Sequence, residues 1–391
     1  MPSSSSPARG HLIAFAVFSA SYFAHVGFFN PYLSLWLKEQ GVSVVDISFL
    51  VAIQAGTRLF APYVWGTISD RTGERVKLLR IGAAVALLSS LGLFWNVSNL
   101  YWLAAVLFVM FTHTSFMMST SEAAMAHLVS TEGAFDARRY GRVRLWGSLG
   151  FLVTVFAAGG WFERFGISDF PMWTLISLAA VFFFAWCLPN LKEAPHPHEE
   201  RPSVIPVLKI PAVRWIFASI FFHVLAHMGI YVFFSLYLDA LGYSKTIIGL
   251  LWALSVVAEI GWFFTQSRWL PLLNLGGWLV LCAVVTTVRM GLTASLATWL
   301  PVLVVAQALH AITFATHHSV CIALLTEHFP GRLRGRGQAL YTVIGYGFTG
   351  VLGSLGGGWI SDNYGLAHVF TASAAISLIA IACAWRVNPT G

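Results

Sequence analysis

Apolar residues run along this chain in long unbroken blocks. Twelve blocks stand out, at 12–37, 45–68, 78–96, 100–128, 141–161, 171–189, 213–238, 246–266, 275–296, 299–326, 336–360 and 367–386. A helix needs about 20 apolar residues to cross a bilayer, and the blocks match that length. Inside hydrocarbon the backbone must satisfy its own polar groups, which a helix does and an open strand does not. Runs of roughly 10 alternating residues would mark a transmembrane barrel, and the sequence has none. The pattern predicts an all-α integral membrane protein with twelve transmembrane helices, here called spans 1 to 12.

Composition agrees. The chain is 57% hydrophobic and 10% charged, against about 25% charged residues in soluble domains. The net charge of +7 would hint at nucleic acid if it formed a patch, but it is spread over alternate loops. The loops after the even-numbered spans hold Arg71, Arg75, Lys77, Arg80, Arg138, Arg139, Arg142, Lys192, Arg201, Lys209, Arg214, Arg268, Arg332, Arg334 and Arg336, whereas the opposite loops hold only Lys38, Arg164 and Lys245. Basic loops stay in the cytoplasm. Both termini are therefore expected there, with the chain multi-pass in the cell's inner membrane. The charge reports topology, so no nucleic-acid partner is expected. The N-terminal MPSSSSPARG lacks a leader pattern. Cys187, Cys282, Cys321 and Cys383 lie in or at the ends of apolar blocks without paired spacing. They read as small hydrophobes, with neither a disulfide nor a metal site.

The chain also repeats itself. A polar, proline-rich stretch, NLKEAPHPHEERPSVIPVLKIP, divides it near the middle and reads as a linker. This predicts an N-terminal six-helix lobe at 1–189, a cytoplasmic linker at 190–212 and a C-terminal six-helix lobe at 213–391. AHVGFFNPYLSLWLKEQG (24–41) resembles AHMGIYVFFSLYLDALG (226–242), and Ser34 aligns with Ser235 at an offset of 201 positions. The same offset places Arg58 of span 2 on Glu259 of span 8. Further on, His113 pairs with His310 and Arg144 with Gln338. Parallel repeats of this kind build two-lobed transporters that bind substrate near the midplane.

Five ionisable residues sit well inside apolar spans: Arg58, Glu122, Arg144, Glu259 and Arg289. Each costs roughly 2.5–3.5 kcal/mol on insertion scales, so each calls for a partner or an aqueous cavity. Gln307, His310, Phe314 and His317 recur at helical spacing on span 10, with Thr313 and His318 bordering that face. A polar stripe on a membrane helix lines a cavity or bonds a neighbouring helix. His223 and His227 have i,i+4 metal spacing, but no acid or cysteine near them in sequence supports a metal. Three arginines against two glutamates suit a monoanion, because arginine grips a carboxylate with two parallel bonds. A glutamate in such a place can change protonation between states, as proton coupling requires. Trp36, Trp146, Trp252, Trp262 and Phe314 flank these charges, which fits an aromatic ligand, although packing or interface roles also account for such residues.

After span 2 comes GTISDRTGERVK. Gly66 permits close helix approach, Asp70 can pair with an arginine or a helix N-terminus, and Arg71 and Arg75 can latch the loop to the other side of the bundle. The loop, with Gly66, Asp70, Arg71, Gly73 and Arg75 in register, resembles the signature of the major facilitator superfamily; Glu74 departs from its usual basic residue. YGRVRLWGS (140–148), VVAEIGWF, VRMG and QALHAITF extend the resemblance over nearly the whole chain, towards the proton-symporter branch that includes lactose permease and phenylpropionate permease. It implies Arg144 paired with Glu122 near the substrate, an acid at Glu259, an arginine at Arg289 and a histidine at His310. Thr313 stands where lactose permease has a proton-binding carboxylate. Phenylpropionate permease looks more similar there, at Thr313, Phe314 and His318, and in its span 2 arginine.

The expectation is a non-enzymatic, proton-coupled symporter that imports a small organic anion by alternating access, an aromatic monocarboxylate such as 3-phenylpropionate. Substrate would contact Arg58, Glu122, Arg144, Arg289, His310 and Phe314. Protons, the only coupling ion and with no cofactor, would use Glu259, His310, Glu122, His317 and His318. The partners would be the solute and the lipid bilayer, with the chain a monomer. A neutral sugar or nucleoside symporter, or a drug or metabolite exporter, is the alternative.

Overall fold

A computed structural model describes residues 9–131, 134–135, 137–190 and 203–387. Among them are twelve helices long and apolar enough to cross a membrane. Spans 1 to 6 are Gly10–Glu39, Val44–Thr72, Arg75–Phe94, Leu100–Met125, Leu145–Phe165 and Ile167–Trp186. Spans 7 to 12 are Pro211–Ala240, Lys245–Leu272, Leu275–Leu296, Leu300–His328, Arg334–Tyr364 and Leu366–Trp385. Every expected block is thus a helix. Part of the expected linker, 191–202, lies outside the described residues.

The chain divides into two compact units. One holds Met1–Gly41 and Thr57–Glu199, and the other holds Val42–Gly56 and Glu200–Gly391. Span 2 is therefore shared, its first half belonging with the second unit. Local signals fix the helix ends. The Asn99 side chain accepts from the backbone N–H groups of Tyr101 and Trp102, the Ser244 side chain from that of Ile247, and the Asn274 side chain from that of Gly277. Each satisfies donors that a first turn leaves open. Gly41 and Gly242 end matching helices with φ of 79° and 82°, a left-handed conformation that only glycine adopts at low cost. They are repeat equivalents, 201 positions apart, so the internal duplication extends to the turns.

In the first unit small residues let spans 1 and 5 touch. A Cβ on Gly27 would collide with Phe151 and Thr154, and one on Gly150 with the Ala20 backbone. Thr154 Oγ1 donates to the Ala24 carbonyl at 2.7 Å. Helices in lipid associate by such close packing, since lipid tails remove the usual hydrophobic drive. Trp36 lies in the aromatic core of this unit, stacked on Phe170 with centroids 5.2 Å apart and planes 18° from parallel. It packs the lobe, one of the roles the sequence left open for it. Trp146 is exposed.

The second unit is less regular. Wide π turns interrupt span 7 at Gly229–Phe233, span 10 at Ala311–Thr316 and span 11 at Val343–Phe348. Such turns mark functional positions in helices more often than chance. Span 11 presents glycines on several sides: Gly353 faces Met228, Gly357 faces Phe233, and Gly350 and Gly358 face Ala55 and Ser48 of span 2. Ile216, Ile220, Val224, Leu279, Val320 and Leu325 form its core.

Candidate functional site

Span 9 buries one stripe at helical spacing, Cys282, Thr286, Arg289 and Thr293. The threonine hydroxyls donate to carbonyls of their own helix, Thr286 to Cys282 at 2.8 Å and Thr293 to Arg289 at 2.9 Å. Threonine can thus sit in a membrane interior without a polar neighbour. Arg289 cannot, and it points at span 10, where its side chain is 0% exposed. Its Nη1 donates to His310 Nδ1 at 3.1 Å and to Thr313 Oγ1 at 2.9 Å, and its Nη2 donates to Gln307 Oε1 at 3.0 Å. All three acceptors are neutral. Among the described residues no carboxylate comes within ion-pair distance of this guanidinium. Arg289 Nε and Gln307 Nε2, both donors, have no partner among the described residues.

The π turn shapes this cradle. It begins directly after His310 and contains Thr313 and Phe314. The Thr313 carbonyl accepts from His223 Nε2 at 2.7 Å, so Thr313 is held from span 7 through its backbone and from span 9 through its side chain. Arginine only donates, so His310 Nδ1 must accept and the ring proton lies on Nε2. That nitrogen stands 3.9 Å from Glu259 Oε2, too far for a hydrogen bond yet within ion-pair reach. Glu259 keeps 24% of its side chain exposed, against 8% for His310. Glu259, His310 and Arg289 therefore form a graded series, from a partly open acid to a closed cation.

Aromatic rings continue along the span 10 face. Phe314 lies parallel to His310, centroids 5.0 Å apart and planes 1° from parallel, and His318 follows at 6.1 Å. His318 Nδ1 meets the Tyr341 hydroxyl at 3.1 Å, and Tyr341 meets Tyr346 at 3.2 Å. Ser319 Oγ donates to Gln266 Oε1 at 2.8 Å, tying span 10 to span 8. Trp252 donates to Ser235 at 3.0 Å, and Trp262 packs edge-on to Trp278. The structure thus gathers Glu259, Arg289, His310 and Phe314. His317 points elsewhere, into a stack with His223. The roles of Gln307 as acceptor for the arginine and of His223 as anchor of Thr313 escaped sequence reasoning. Their signal was present only as a glutamine on the polar stripe and an unexplained histidine pair.

In the first unit Arg58 is half-buried on span 2, and no hydrogen bond or ion pair reaches it among the described residues. Glu122 is half-buried on span 4. The side chain of Arg144 lies outside the described residues. His113, the repeat equivalent of His310, turns back to the Val109 carbonyl at 2.7 Å and lies beside the Trp65 ring, centroids 5.5 Å apart. The duplication is therefore not carried into side-chain roles at this pair.

The profile of the MFS_1 like family matches residues 12–372. The chain belongs to that family. It is a membrane transporter of the major facilitator superfamily, not an enzyme. It is 27% identical over 377 residues to the probable 3-phenylpropionic acid transporter of Escherichia coli (strain K12), covering 95% of this chain and 96% of that one. It is 24% identical over 366 residues to the maltose permease of Geobacillus stearothermophilus, covering 91% and 89%. Its fold is similar to the crystal structure of the nucleoside transporter NupG, with a TM-score of 0.80 at 14% identity over 97% of this chain and 99% of that one.

Within this MFS chain the signature loop carries two ion pairs of its own. Arg75 Nη2 lies 3.5 Å from Asp70 Oδ1, and Lys77 Nζ lies 2.9 Å from Glu74 Oε2. Gly73 takes φ of 68° to turn the chain between spans 2 and 3. Arg71 is exposed, and no ion pair reaches it among the described residues. The close helix approach expected at Gly66 is not found: a Cβ there would meet no described atom within 4 Å. Its glycine is explained neither by packing nor by a positive φ.

Proposed function

We propose that this secondary transporter is a proton-coupled symporter that imports a small organic anion, an aromatic monocarboxylate such as 3-phenylpropionate, by alternating access. The observation that carries the reading is Arg289. A guanidinium in a membrane interior costs several kcal/mol unless compensated. Here it is braced by three neutral acceptors and keeps its Nε–H unspent beside the unspent amide of Gln307. Bracing without neutralisation suits a cation whose counter-ion arrives with the substrate. A carboxylate would take the Nε edge in a bidentate fashion, and the ring of an aromatic acid would find Phe314 and His318 alongside. The 3-phenylpropionic acid relative supports the same class. Arg58 and Arg144 are further candidates for the anion.

Glu259 and His310 carry the coupling proton in this reading, with Glu122, His317 and His318 as further candidates, and no cofactor is needed. A proton reaching Glu259 changes the charge next to His310 and so alters the field at Arg289. The chain works as a monomer in the inner membrane, with both termini cytoplasmic, as its basic loops suggest.

A second reading is a symporter for a neutral sugar or nucleoside. Gln307, Thr313 and Glu259 would serve hydroxyls equally well, and the maltose permease relative favours it. Uptake of labelled 3-phenylpropionate into proteoliposomes under an imposed inward proton gradient separates the two. Uphill uptake abolished by an uncoupler and competed by acids but not sugars supports the anion symporter. Competition by sugars or nucleosides alone reverses the assignment, and outward-directed flux makes the chain an exporter.

A further inference from the structure

Ring protons can be placed on three histidines near Arg289, because their partners leave no choice. His310 Nδ1 accepts from Arg289 at 3.1 Å, so its lone pair is spent, and a proton enters there only by displacing the guanidinium. His223 Nε2 donates to the Thr313 carbonyl at 2.7 Å, and His227 Nδ1 donates to the His223 carbonyl at 2.9 Å. A carbonyl only accepts, so lone pairs are left on His223 Nδ1 and His227 Nε2. Both atoms are buried without a partner among the described residues. A buried acceptor with nothing to accept is costly. His227, one turn from His223 on span 7, has no part in the cradle of Arg289.

The surroundings set when His227 can hold a proton. On its own helix it meets His223, centroids 4.7 Å apart, and Tyr231 at 6.1 Å. Span 9 brings Arg289 within electrostatic reach, and span 10 brings His310 and His317. Span 11 offers Tyr341 and Tyr346, whose hydroxyls meet at 3.2 Å. The titratable residues of span 12 are His368 and Cys383, near its two ends. None of these groups is a carboxylate. A proton on His227 therefore adds a second positive charge to that of Arg289 in an apolar interior, and the two oppose each other. A substrate carboxylate on Arg289 Nε removes that opposition.

We propose that His227 Nε2 is the inner binding site of the coupling proton, occupied only while a carboxylate occupies Arg289. This deepens the proton-coupled reading above and rests on it. Glu259, partly exposed, remains the outer station of the route, and His227 is its inner end. The proton adds to the Nε2 lone pair while the Nδ1–H bond to the His223 carbonyl stays in place, so the charged ring donates from both nitrogens. When the carboxylate leaves on the cytoplasmic side, the two cations are again opposed, and Nε2 returns its proton to water. His223 is the poorer carrier, because its ring anchors Thr313 and is stacked on His317 at 3.7 Å. The charges also balance. The empty site holds the Arg289 charge alone, and the loaded site holds two cations and one carboxylate, which is the same net charge. One proton then crosses with one monoanion and no net charge moves.

The test uses the full-length protein in proteoliposomes with labelled 3-phenylpropionate. His227→Asn keeps a donor where Nδ1 stands and removes Nε2, so a merely structural role survives the change and a proton site does not. Wild type should accumulate the acid under an inward proton gradient, at a rate independent of the membrane potential set with potassium and valinomycin. Its KM should rise with pH by up to about tenfold per unit, the limit for one linked proton. His227→Asn should still exchange substrate across the membrane, but lose uphill accumulation and the pH dependence of KM. Circular dichroism melting confirms folding, and His227→Gln, equally unable to take the proton, replaces a variant that misfolds. A folded variant with the accumulation and pH profile of wild type would overturn the proposal, as would wild-type uptake that carries net charge. Wild-type uptake that ignores the proton gradient overturns the parent reading, and this proposal with it.

Discussion

Arg289→Lys isolates what the guanidinium does beyond carrying charge. Lysine keeps the positive charge but replaces a planar fork with a single ammonium on a flexible stem. The arginine reaches three acceptors at 2.9–3.1 Å, on Gln307, His310 and Thr313, and still has Nε–H to offer. An ammonium has three donors in all, so any bond kept to the cradle is lost to the substrate. A bound carboxylate then falls from two charge-assisted bonds to one, a loss of about 1.5–3 kcal/mol. At about 1.4 kcal/mol per decade the KM for the acid should rise roughly tenfold to a hundredfold, with Vmax much less affected. Initial rates in proteoliposomes across a substrate series give both constants, and circular dichroism melting separates misfolding from weak binding. A folded Arg289→Lys protein with KM within about twofold of wild type, on that same scale, would refute the fork as the recognition element.

The other predictions concern coupling and folding. Glu259→Gln keeps the volume of the side chain but removes its charge, so it should retain substrate exchange while losing uphill accumulation; measuring both in one vesicle preparation tests this, and full accumulation in the variant defeats the proton role. Asn99→Ala removes the acceptor of two first-turn N–H groups and should cost about 1 kcal/mol, read as a lower melting temperature with unchanged KM. Gly150→Leu forces a side chain into the Ala20 backbone; overpacking of about 1–3 kcal/mol should lower folded yield, whereas Gly41→Ala should cost about 1–2 kcal/mol through its φ of 79° without any clash.

The spans were legible because hydrocarbon permits so few backbone solutions that length and polarity suffice. The duplication was legible too, and turns such as Gly41 and Gly242 carry it into three dimensions. The residues gathered on span 10 followed from helical spacing, since Gln307, His310 and Phe314 share a face even across a π turn. What bonds them did not follow. The His223 to Thr313 contact ends on a backbone carbonyl, and carbonyls leave no trace in side-chain chemistry. Trp36 was open to a ligand role or a packing role, because a tryptophan reads the same whether it faces a cavity or Phe170. The Asp70 to Arg75 pair lies within the signature loop, one of the arginine partners the sequence offered to Asp70. The π turns have no residue signature, so the local widening that presents Thr313 to two neighbours was invisible.

Span 2 is one continuous helix divided between two compact units, and that constrains any attempt to make this transporter in pieces. A gene split within residues 191–202 looks like a clean cut by sequence. The C-terminal polypeptide would nevertheless lack Ser48 and Ala55, the surface against which Gly350 and Gly358 rest. Its glycine seam would open to lipid, which offers no shape to fill it. The cut that respects packing falls inside a membrane helix, where no chain end can be placed cheaply. Two coexpressed halves should therefore depend on one another for maturation, and neither should accumulate alone as a finished lobe.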